Sequence, residues 1–218
     1  MSIAERRQEE KDRRRTEIVE AAEALYREVG WEAVTMDGVA KRARLSRALV
    51  YVYFKDKQDL HFGIAVRALE MLEKRFEEAV QGSSNGLEKV ISLGRAYMTY
   101  SQDFPFYFDA CARLELYVPS GTEPAPQELA CMTVGQRVHV IVVDALSLGQ
   151  RDGSIRKDIG DLNVTSRVLW GFMHGIIQIA MTKEAPLSQV GITVTHLTGQ
   201  AVALITAALA APRAPSVS

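Results

Sequence analysis

Residues 16–53 place three short helical patterns in succession, with a clear stop or start signal between each pair. The helices are expected at residues 16–29, 36–43 and 47–53. Gly30 ends the first, because glycine tolerates the left-handed backbone at a helix C-terminus. Thr35 and Ser46 are suited to cap the second and third, because their hydroxyls accept from free backbone N–H groups. Two short helices joined by a three-residue turn have the geometry of a helix-turn-helix.

The rest of the chain also shows the apolar spacing of amphipathic helices. Asp56, with Asp59 three residues later, can start a fourth helix that ends near residue 80. Further helices are expected at residues 87–104, 106–117, 127–148, 162–183 and 188–210. No segment shows sustained two-residue alternation, so the predicted fold class is all-α.

A chain of 218 residues with 47% hydrophobic content has enough apolar material for one domain or two small ones. We expect a three-helix DNA-binding domain at residues 1–62, and a helical ligand-binding and dimerisation domain at residues 63–211. Residues 212–218 read as a disordered tail. The fourth helix would join both domains.

Charge is concentrated beside the helix-turn-helix, although the whole chain carries a net charge of only −1. Six basic residues and one acidic residue fall between Lys41 and Lys57. A cluster of one sign can be the footprint of a nucleic acid. It can also be an ordinary solvated surface, and composition alone does not separate the two.

The third helix can present a mixed face to a DNA groove. At about 100° per residue, Arg47, Ala48, Tyr51 and Val52 fall within an arc of roughly 140°, while Val50 points to the core. Arg47 can bind guanine O6 and N7, and the small apolar side chains can meet thymine methyl groups. The alternative for Arg47 is a surface salt bridge, and Tyr51 and the nearby Phe54 could be plain core residues.

These residues together resemble the DNA-binding domain of the TetR family of transcriptional regulators. The resemblance covers roughly residues 16–62. It rests on Gly30, Thr35, Val39-Ala40, Leu45-Ser46, the run Tyr51-Val52-Tyr53-Phe54, and Lys57. It implies a homodimer that binds a palindromic operator in double-stranded DNA and releases it when a small-molecule inducer binds. It therefore favours a repressor.

The expected DNA contacts follow from the motif and from side-chain chemistry. Hydroxyls and ammonium groups at these positions would bind phosphate oxygens. The predicted DNA-binding residues are Thr35, Arg44, Ser46, Arg47, Ala48, Tyr51, Val52, Tyr53 and Lys57. Two positions depart from the family pattern: Arg44 stands where glycine is usual, and Leu49 stands where threonine is common. A left-handed backbone at Arg44 would cost about 1 kcal/mol.

Aromatic side chains are concentrated in the second half of the chain. Rings and methionines around a few polar groups describe a ligand cavity, but the same residues are also typical of a core. The candidate ligand-binding residues are Tyr97, Tyr100, Phe104, Tyr107, Phe108, Arg113, His139, Trp170, His174 and Gln178. A histidine on an apolar helix is commonly a hydrogen-bonded core residue, so that alternative stays open.

The last two predicted helices are apolar on more than one face. Packing against the core of a single domain would bury only one of these faces. Gly171, Gly175 and Gly199 would let helices approach closely. A four-helix interface in a twofold homodimer satisfies both features. The alternative is that both helices are buried within one monomer.

Several function classes lack sequence support. Cys111 and Cys131 match no metal or redox spacing, and no cofactor or metal is expected. No nucleophile motif or phosphate-binding loop points to an enzyme. The apolar runs are interrupted and look too short to span a membrane, so a cytoplasmic protein is expected. A helical interaction module with a non-functional helix-turn-helix is the remaining alternative.

Overall fold

A computed structural model describes residues 2–119 and 123–212. Over these residues the chain forms ten α-helices, one 3-10 turn at Trp31–Ala33, and no β-strand. The helices are α1 (Ile3–Val29), α2 (Met36–Ala43), α3 (Arg47–Tyr53), α4 (Lys57–Gln81), α5 (Gly86–Asp103), α6 (Pro105–Glu115), α7 (Pro126–Asp152), α8 (Leu162–Thr182), α9 (Glu184–Gln189) and α10 (Val194–Leu209). The predicted all-α class is confirmed.

The chain divides into two compact units. The first comprises the chain up to Ala68 together with Asp109–Thr133, and the second comprises Leu69–Phe108 and the chain from Val134 onwards. The segment Asp109–Thr133 is therefore grouped with the N-terminal helices, which the division at residues 62 and 63 did not anticipate. Residues 213–218, most of the predicted tail, lie outside the described residues.

In the first unit, α1 packs against α2, and α2 packs against α3. The side chains that fill this small core are fully buried: Ile18, Ala22, Val39, Val50 and Phe54. They come from α1, α2, α3 and the residue that follows α3. Burial of these apolar groups, at about 25 cal/mol per Å², is what holds the short helices α2 and α3 in place.

Helix α1 begins much earlier than expected. It starts at Ile3 rather than near residue 16, and it is 27 residues long. Ser2 and Glu5 form a capping box, in which each side chain accepts from the backbone N–H of the other. Ion pairs of Arg13 and Arg14 with Glu10 and Glu17 add support along the helix.

The C-terminal helices also differ from expectation. A single helix at residues 188–210 was wrong, because α9 ends at Gln189 and α10 begins only at Val194. Gly191 separates them with a φ of 73°, a conformation that side chains with a Cβ rarely adopt. Thr193 then caps α10 by accepting from the N–H of His196.

Helix α7 is long and apolar enough to raise the question of a membrane span. An 18-residue stretch of it has a mean hydropathy of 1.4, so the expectation that apolar runs are too short was wrong for this helix. One third of that stretch is buried. Its buried valines, Val134, Val138 and Val142, recur on one face, which is the pattern of a core helix.

In the second unit, α5 approaches α7 backbone to backbone. A Cβ on Gly86 would lie 2.0 Å from the backbone nitrogen of Gly149, so only glycine fits there. The N–H of Gly86 donates to Asp152 at 2.8 Å, and the N–H of Leu87 donates to Ser154 at 3.0 Å. These bonds satisfy the free donors at the start of α5 and fix its position.

Candidate nucleic-acid interface and ligand pocket

The helix-turn-helix forms as the sequence predicts. Helices α2 and α3 have the expected bounds, and the hydroxyls of Thr35 and Ser46 accept from Gly38 N at 3.0 Å and Leu49 N at 3.2 Å. The turn between them is left-handed at Arg44, with φ 56° and ψ 38°. Among the described residues, Arg44 is the only non-glycine with a positive φ, so this turn carries the strain that the sequence suggested.

Helix α3 presents one face outward. Val50 is completely buried, whereas Val52 is 76% exposed and Tyr51 is 40% exposed. Arg47 and Ala48 are also exposed. The four outward residues are those placed together by the helical-wheel argument. The face therefore offers one guanidinium, one phenol and two small apolar groups to an approaching surface.

Arg47 is already paired within the domain. Its Nε lies 3.1 Å from Oδ1 of Asp37 on α2, and its guanidinium carbon lies 5.5 Å from the ring centroid of Tyr51. A hydrogen bond to the Tyr51 hydroxyl and the charge of Asp37 raise the pKa of Arg47 above its usual value. The salt bridge considered as the alternative is thus present, and the side chain is also held over the outer face of α3.

Lys57 is held at the start of α4. Its Nζ donates to the backbone carbonyl of Glu32 at 3.1 Å and lies 4.8 Å from the ring centroid of Trp31. Partial burial lowers the pKa of this amine. An ammonium has three donors, so the contact with Glu32 leaves others for a phosphate.

The remaining predicted DNA contacts are accessible to different degrees. Arg44 is exposed, while Tyr53 at the end of α3 is half-buried. Thr35 and Ser46 use an acceptor lone pair for capping, and each keeps its O–H as a donor. Thr35, Arg44 and Ser46 lie at the ends of α2 and α3, where phosphate contacts rather than base contacts are usual.

Most of the candidate ligand residues meet in the second unit. Eight of them form one connected set of ring contacts: Tyr97, Tyr100, Phe104, Tyr107, Phe108, His139, Trp170 and His174. Tyr97 is at the centre of this aromatic cluster. It stacks on Trp170 with centroids 4.7 Å apart, and its hydroxyl lies 2.7 Å from Nδ1 of His174.

A small pocket opens beside the aromatic cluster. It has a volume of about 40 Å³, and its walls include Phe76, Leu93, Tyr97, Ser166, Trp170 and Met173. None of the described residues that line it has a charged side chain. The polar groups at its wall are already bonded, since Ser166 Oγ lies 3.0 Å from Nδ1 of His139. The pocket is therefore suited to an apolar, uncharged group.

Two candidate ligand residues lie elsewhere. Arg113 belongs to the first unit, where its guanidinium donates to Glu32 at 2.7 Å and to the Tyr26 hydroxyl at 3.0 Å. Tyr26 in turn donates to Asp109. Gln178 has an exposed side chain and is absent from the pocket wall. The structure thus gives Arg113 a role in holding the first unit together.

The sequence reasoning missed several residues that shape these sites. Asp37 holds the guanidinium of Arg47, and the backbone carbonyl of Glu32 holds the ammonium of Lys57. Nothing local in the sequence marks Asp37 or Glu32, because their partners are distant along the chain. Ser166 and Met173 were findable, because they share a helix face with Trp170 at spacings of four and three residues.

Comparison with known proteins agrees with the geometry of the first unit. Residues 18–62 match the family described as bacterial regulatory proteins, tetR family. The HTH-type transcriptional regulator HbdR of Aromatoleum sp. (strain CIB) is 30% identical over 86 residues, which is 39% of this chain and 38% of HbdR. The alignment therefore spans well under half of that relative.

Solved structures share the fold over most of the chain. PfmR of Thermus thermophilus, a TetR family transcriptional regulator, has a TM-score of 0.62 and 20% identity over 87% of this chain and 97% of its own. FadR of Bacillus subtilis, solved in complex with stearoyl-CoA, has a TM-score of 0.66 and 16% identity over 88% and 98%. At such identities these likenesses establish the fold alone. Residues 18–62, which contain the helix-turn-helix, thus match the tetR family of bacterial regulatory proteins.

Proposed function

We propose that the protein is a ligand-responsive repressor that binds a palindromic operator as a homodimer and leaves it when a small molecule binds. The observation that carries the proposal is the outer face of α3, where Arg47, Ala48, Tyr51 and Val52 are exposed while Val50 anchors the helix. A helix of this kind fits the major groove. Because it acts on DNA, the protein would work in the cytoplasm.

The base-reading role falls to Arg47. Its guanidinium has the fork geometry that matches guanine O6 and N7, and its present partner Asp37 is solvent-exposed, so the pair exchanges readily for a base. Lys57, Arg44 and the hydroxyls of Thr35 and Ser46 would bind phosphates and fix the register of α3.

An apolar stripe on α8 supports dimerisation. Val164, Val168 and Phe172 are exposed at spacings of four residues, and the stripe continues to Ile179. Nothing lies within 4 Å of a Cβ built on Gly171 or Gly175, which are on the same side. A second copy of this surface would bury the stripe, with the glycines allowing close approach. Leu204 on α10, 52% exposed, would extend the same interface.

The pocket beside the aromatic cluster is the proposed inducer site. Its volume of about 40 Å³ is far below the roughly 300 Å³ of a typical ligand site, so a ligand can enter only by moving side chains such as Met173 and Trp170. An acyl chain like that of the stearoyl-CoA bound to FadR of Bacillus subtilis is compatible with an apolar wall. We expect an uncharged, apolar portion of the ligand to enter this pocket.

Linkage then explains release. A ligand that binds more tightly to an expanded pocket favours the protein conformation in which the pocket is expanded. Operator DNA favours the conformation that places the two α3 helices of the dimer about 34–36 Å apart. Helix α4 contributes residues to both compact units, which makes it the proposed connection. Reciprocity requires that operator DNA weaken inducer binding by the same factor.

The test is selection of duplexes from a random pool, followed by fluorescence polarisation on the selected sequence. We expect a palindromic site bound at least a thousandfold more tightly than unrelated DNA. Arg47→Ala should reduce that preference, whereas Lys57→Ala should weaken binding to all sequences alike. Failure to select any sequence, with no salt-dependent binding, would contradict the proposal and favour a protein-interaction module instead.

A further inference from the structure

Helix α1 begins well before the residues that the family model matches. The family match begins at residue 18, whereas α1 begins at Ile3. We call residues 3–17 the α1 extension. It is a regular helix with a complete capping box at Ser2, so its side chains have fixed positions relative to the rest of α1.

The extension lies beside the end of α3. The guanidinium carbon of Arg15 lies 5.4 Å from the ring centroid of Phe54, the residue that follows α3. Burial of Arg15 lowers the pKa of its guanidinium. An open groove of about 360 Å³ separates the extension from Tyr53, the last residue of α3, and its walls are formed by Ile3, Arg6, Arg7, Glu10, Lys11 and Tyr53.

The groove carries an uncompensated positive charge. Its acid, Glu10, accepts from Arg13 at 2.5 Å and from Arg14 at 3.0 Å, and these bonds lower the pKa of its carboxyl. Arg6, Arg7 and Lys11 are exposed and form no ion pair with any residue that the structure describes. The three free cations thus face a groove next to the residues proposed to enter DNA.

We propose that the α1 extension is a second DNA-contacting element, in which Arg6, Arg7 and Lys11 bind backbone phosphates beside the base pairs that α3 reads. The inference rests on the proposed function and adds to it a surface outside the helix-turn-helix. A polyanion suits the groove because its cations are free while its carboxylate is satisfied. Such contacts carry no base information and add affinity that depends strongly on salt.

A triple variant with a matched control tests the proposal. Arg6→Gln, Arg7→Gln and Lys11→Gln remove the three cations, and glutamine keeps a similar helix propensity. The control combines Lys74→Gln, Arg95→Gln and Lys183→Gln, which removes the same charge from exposed positions in the second unit. Operator affinity is measured by polarisation across a salt series, with helicity checked by circular dichroism.

We expect the slope of log affinity against log salt to fall by about 2 to 3 per protomer in the triple variant and to stay unchanged in the control. The ratio of operator to unrelated affinity should be preserved. On duplexes trimmed to the base pairs that α3 covers, the triple variant and the wild type should bind alike.

Three results would overturn the inference. They are an unchanged slope in the triple variant, an equal loss of slope in the control, and a difference in affinity between the triple variant and the wild type that persists on trimmed duplexes. These outcomes differ from failure of the proposed function, which would appear as a wild-type protein with no operator preference at any salt concentration.

Discussion

Nε of Arg47 lies 3.1 Å from Oδ1 of Asp37, so the α3 guanidinium that we propose to read a base is held by a carboxylate of α2 in the free protein. The pair has two consequences. It orients the guanidinium over Tyr51 on the outer face, which lowers the entropy cost of reaching a base. It also places a negative charge where phosphates would come near, which opposes binding to DNA of any sequence.

Asp37→Asn should therefore raise affinity for operator and unrelated DNA alike, because it removes this negative charge. The gain should be only roughly two- to fivefold, because an exposed ion pair is weak and easily exchanged. The gain should be largest at low salt, where charge repulsion is least screened. Polarisation with both duplexes at several salt concentrations measures it.

Arg47→Ala serves as the partner in a double-mutant cycle. If Asp37 acts partly through Arg47, the effect of Asp37→Asn should shrink in the Arg47→Ala background. An unchanged or reduced affinity in Asp37→Asn itself would show that the pair prepares Arg47 for binding rather than restraining it.

Two substitutions at the strained turn residue Arg44 distinguish the effect of its backbone conformation from the effect of its side-chain charge. Glycine adopts its φ of 56° without the Cβ clash, so Arg44→Gly should raise the free energy of unfolding by up to about 1 kcal/mol. Arg44→Ala keeps the strain and removes the cation. Urea denaturation should thus distinguish the two variants, with alanine close to wild type.

The two variants should rank differently in DNA affinity than in stability. If Arg44 contacts a phosphate, glycine and alanine should lose affinity equally, although only glycine gains stability. A loss confined to the glycine variant would mean instead that the rigidity of the turn, and not the charge, supports DNA binding.

The local features of the first unit were predictable from the sequence because they depend on neighbours in the chain. Thr35, Ser46 and Gly30 set helix ends through hydrogen bonds that span at most four residues. The early start of α1 had the same kind of signal, since Ser2 and Glu5 have capping-box spacing, and it was missed only because the apolar periodicity starts later.

The partners of the charged groups were not predictable, for a physical reason. Arg113 reaches Glu32 across 81 positions of sequence, and Lys57 reaches the carbonyl of the same residue across 25. Such pairs depend on how helices pack, and many exposed carboxylates were equally plausible partners. The aromatic cluster was predictable as a group because its members are densely placed in sequence, but the position of the pocket depended on Ser166 and Met173.

His61 gives the first unit a defined dependence on pH. It is 1% exposed, its ring centroid lies 4.9 Å from that of Trp31, and its Nε2 has no hydrogen-bond partner among residues 2–119 and 123–212. Burial lowers the pKa of His61 to about 4; the charges of Arg113 and Lys57 lower it further, while that of Asp109 partly opposes them. The unfolded chain binds a proton near pH 6.5, so between pH 6.5 and pH 4 the unfolded state holds more protons than the folded state.

Stability contributed by neutral His61 is therefore fully present above pH 6.5 and is lost as the pH falls toward 4, by up to about 3 kcal/mol. His61→Phe removes the titrating group and keeps a ring against Trp31. The difference in unfolding free energy between wild type and variant should change by about 2 kcal/mol between pH 7 and pH 5. A difference independent of pH, in urea denaturation at both values, would show that His61 is not buried as a neutral ring.

The apolar stripe on α8 yields the last prediction. Val168 is 63% exposed in the single chain, so Val168→Glu should leave the stability of an isolated protomer almost unchanged. In a dimer the same carboxylate would be buried against its symmetry mate, at a cost of several kcal/mol. We expect the wild type to sediment as a dimer at micromolar concentration and the variant as a folded monomer.

Val118→Glu, at a position 80% exposed in the first unit, is the matched control and should stay dimeric. The monomeric variant should also bind the operator at least a hundredfold more weakly, because the two α3 helices would no longer be linked. A dimer that survives Val168→Glu would place the interface away from this stripe.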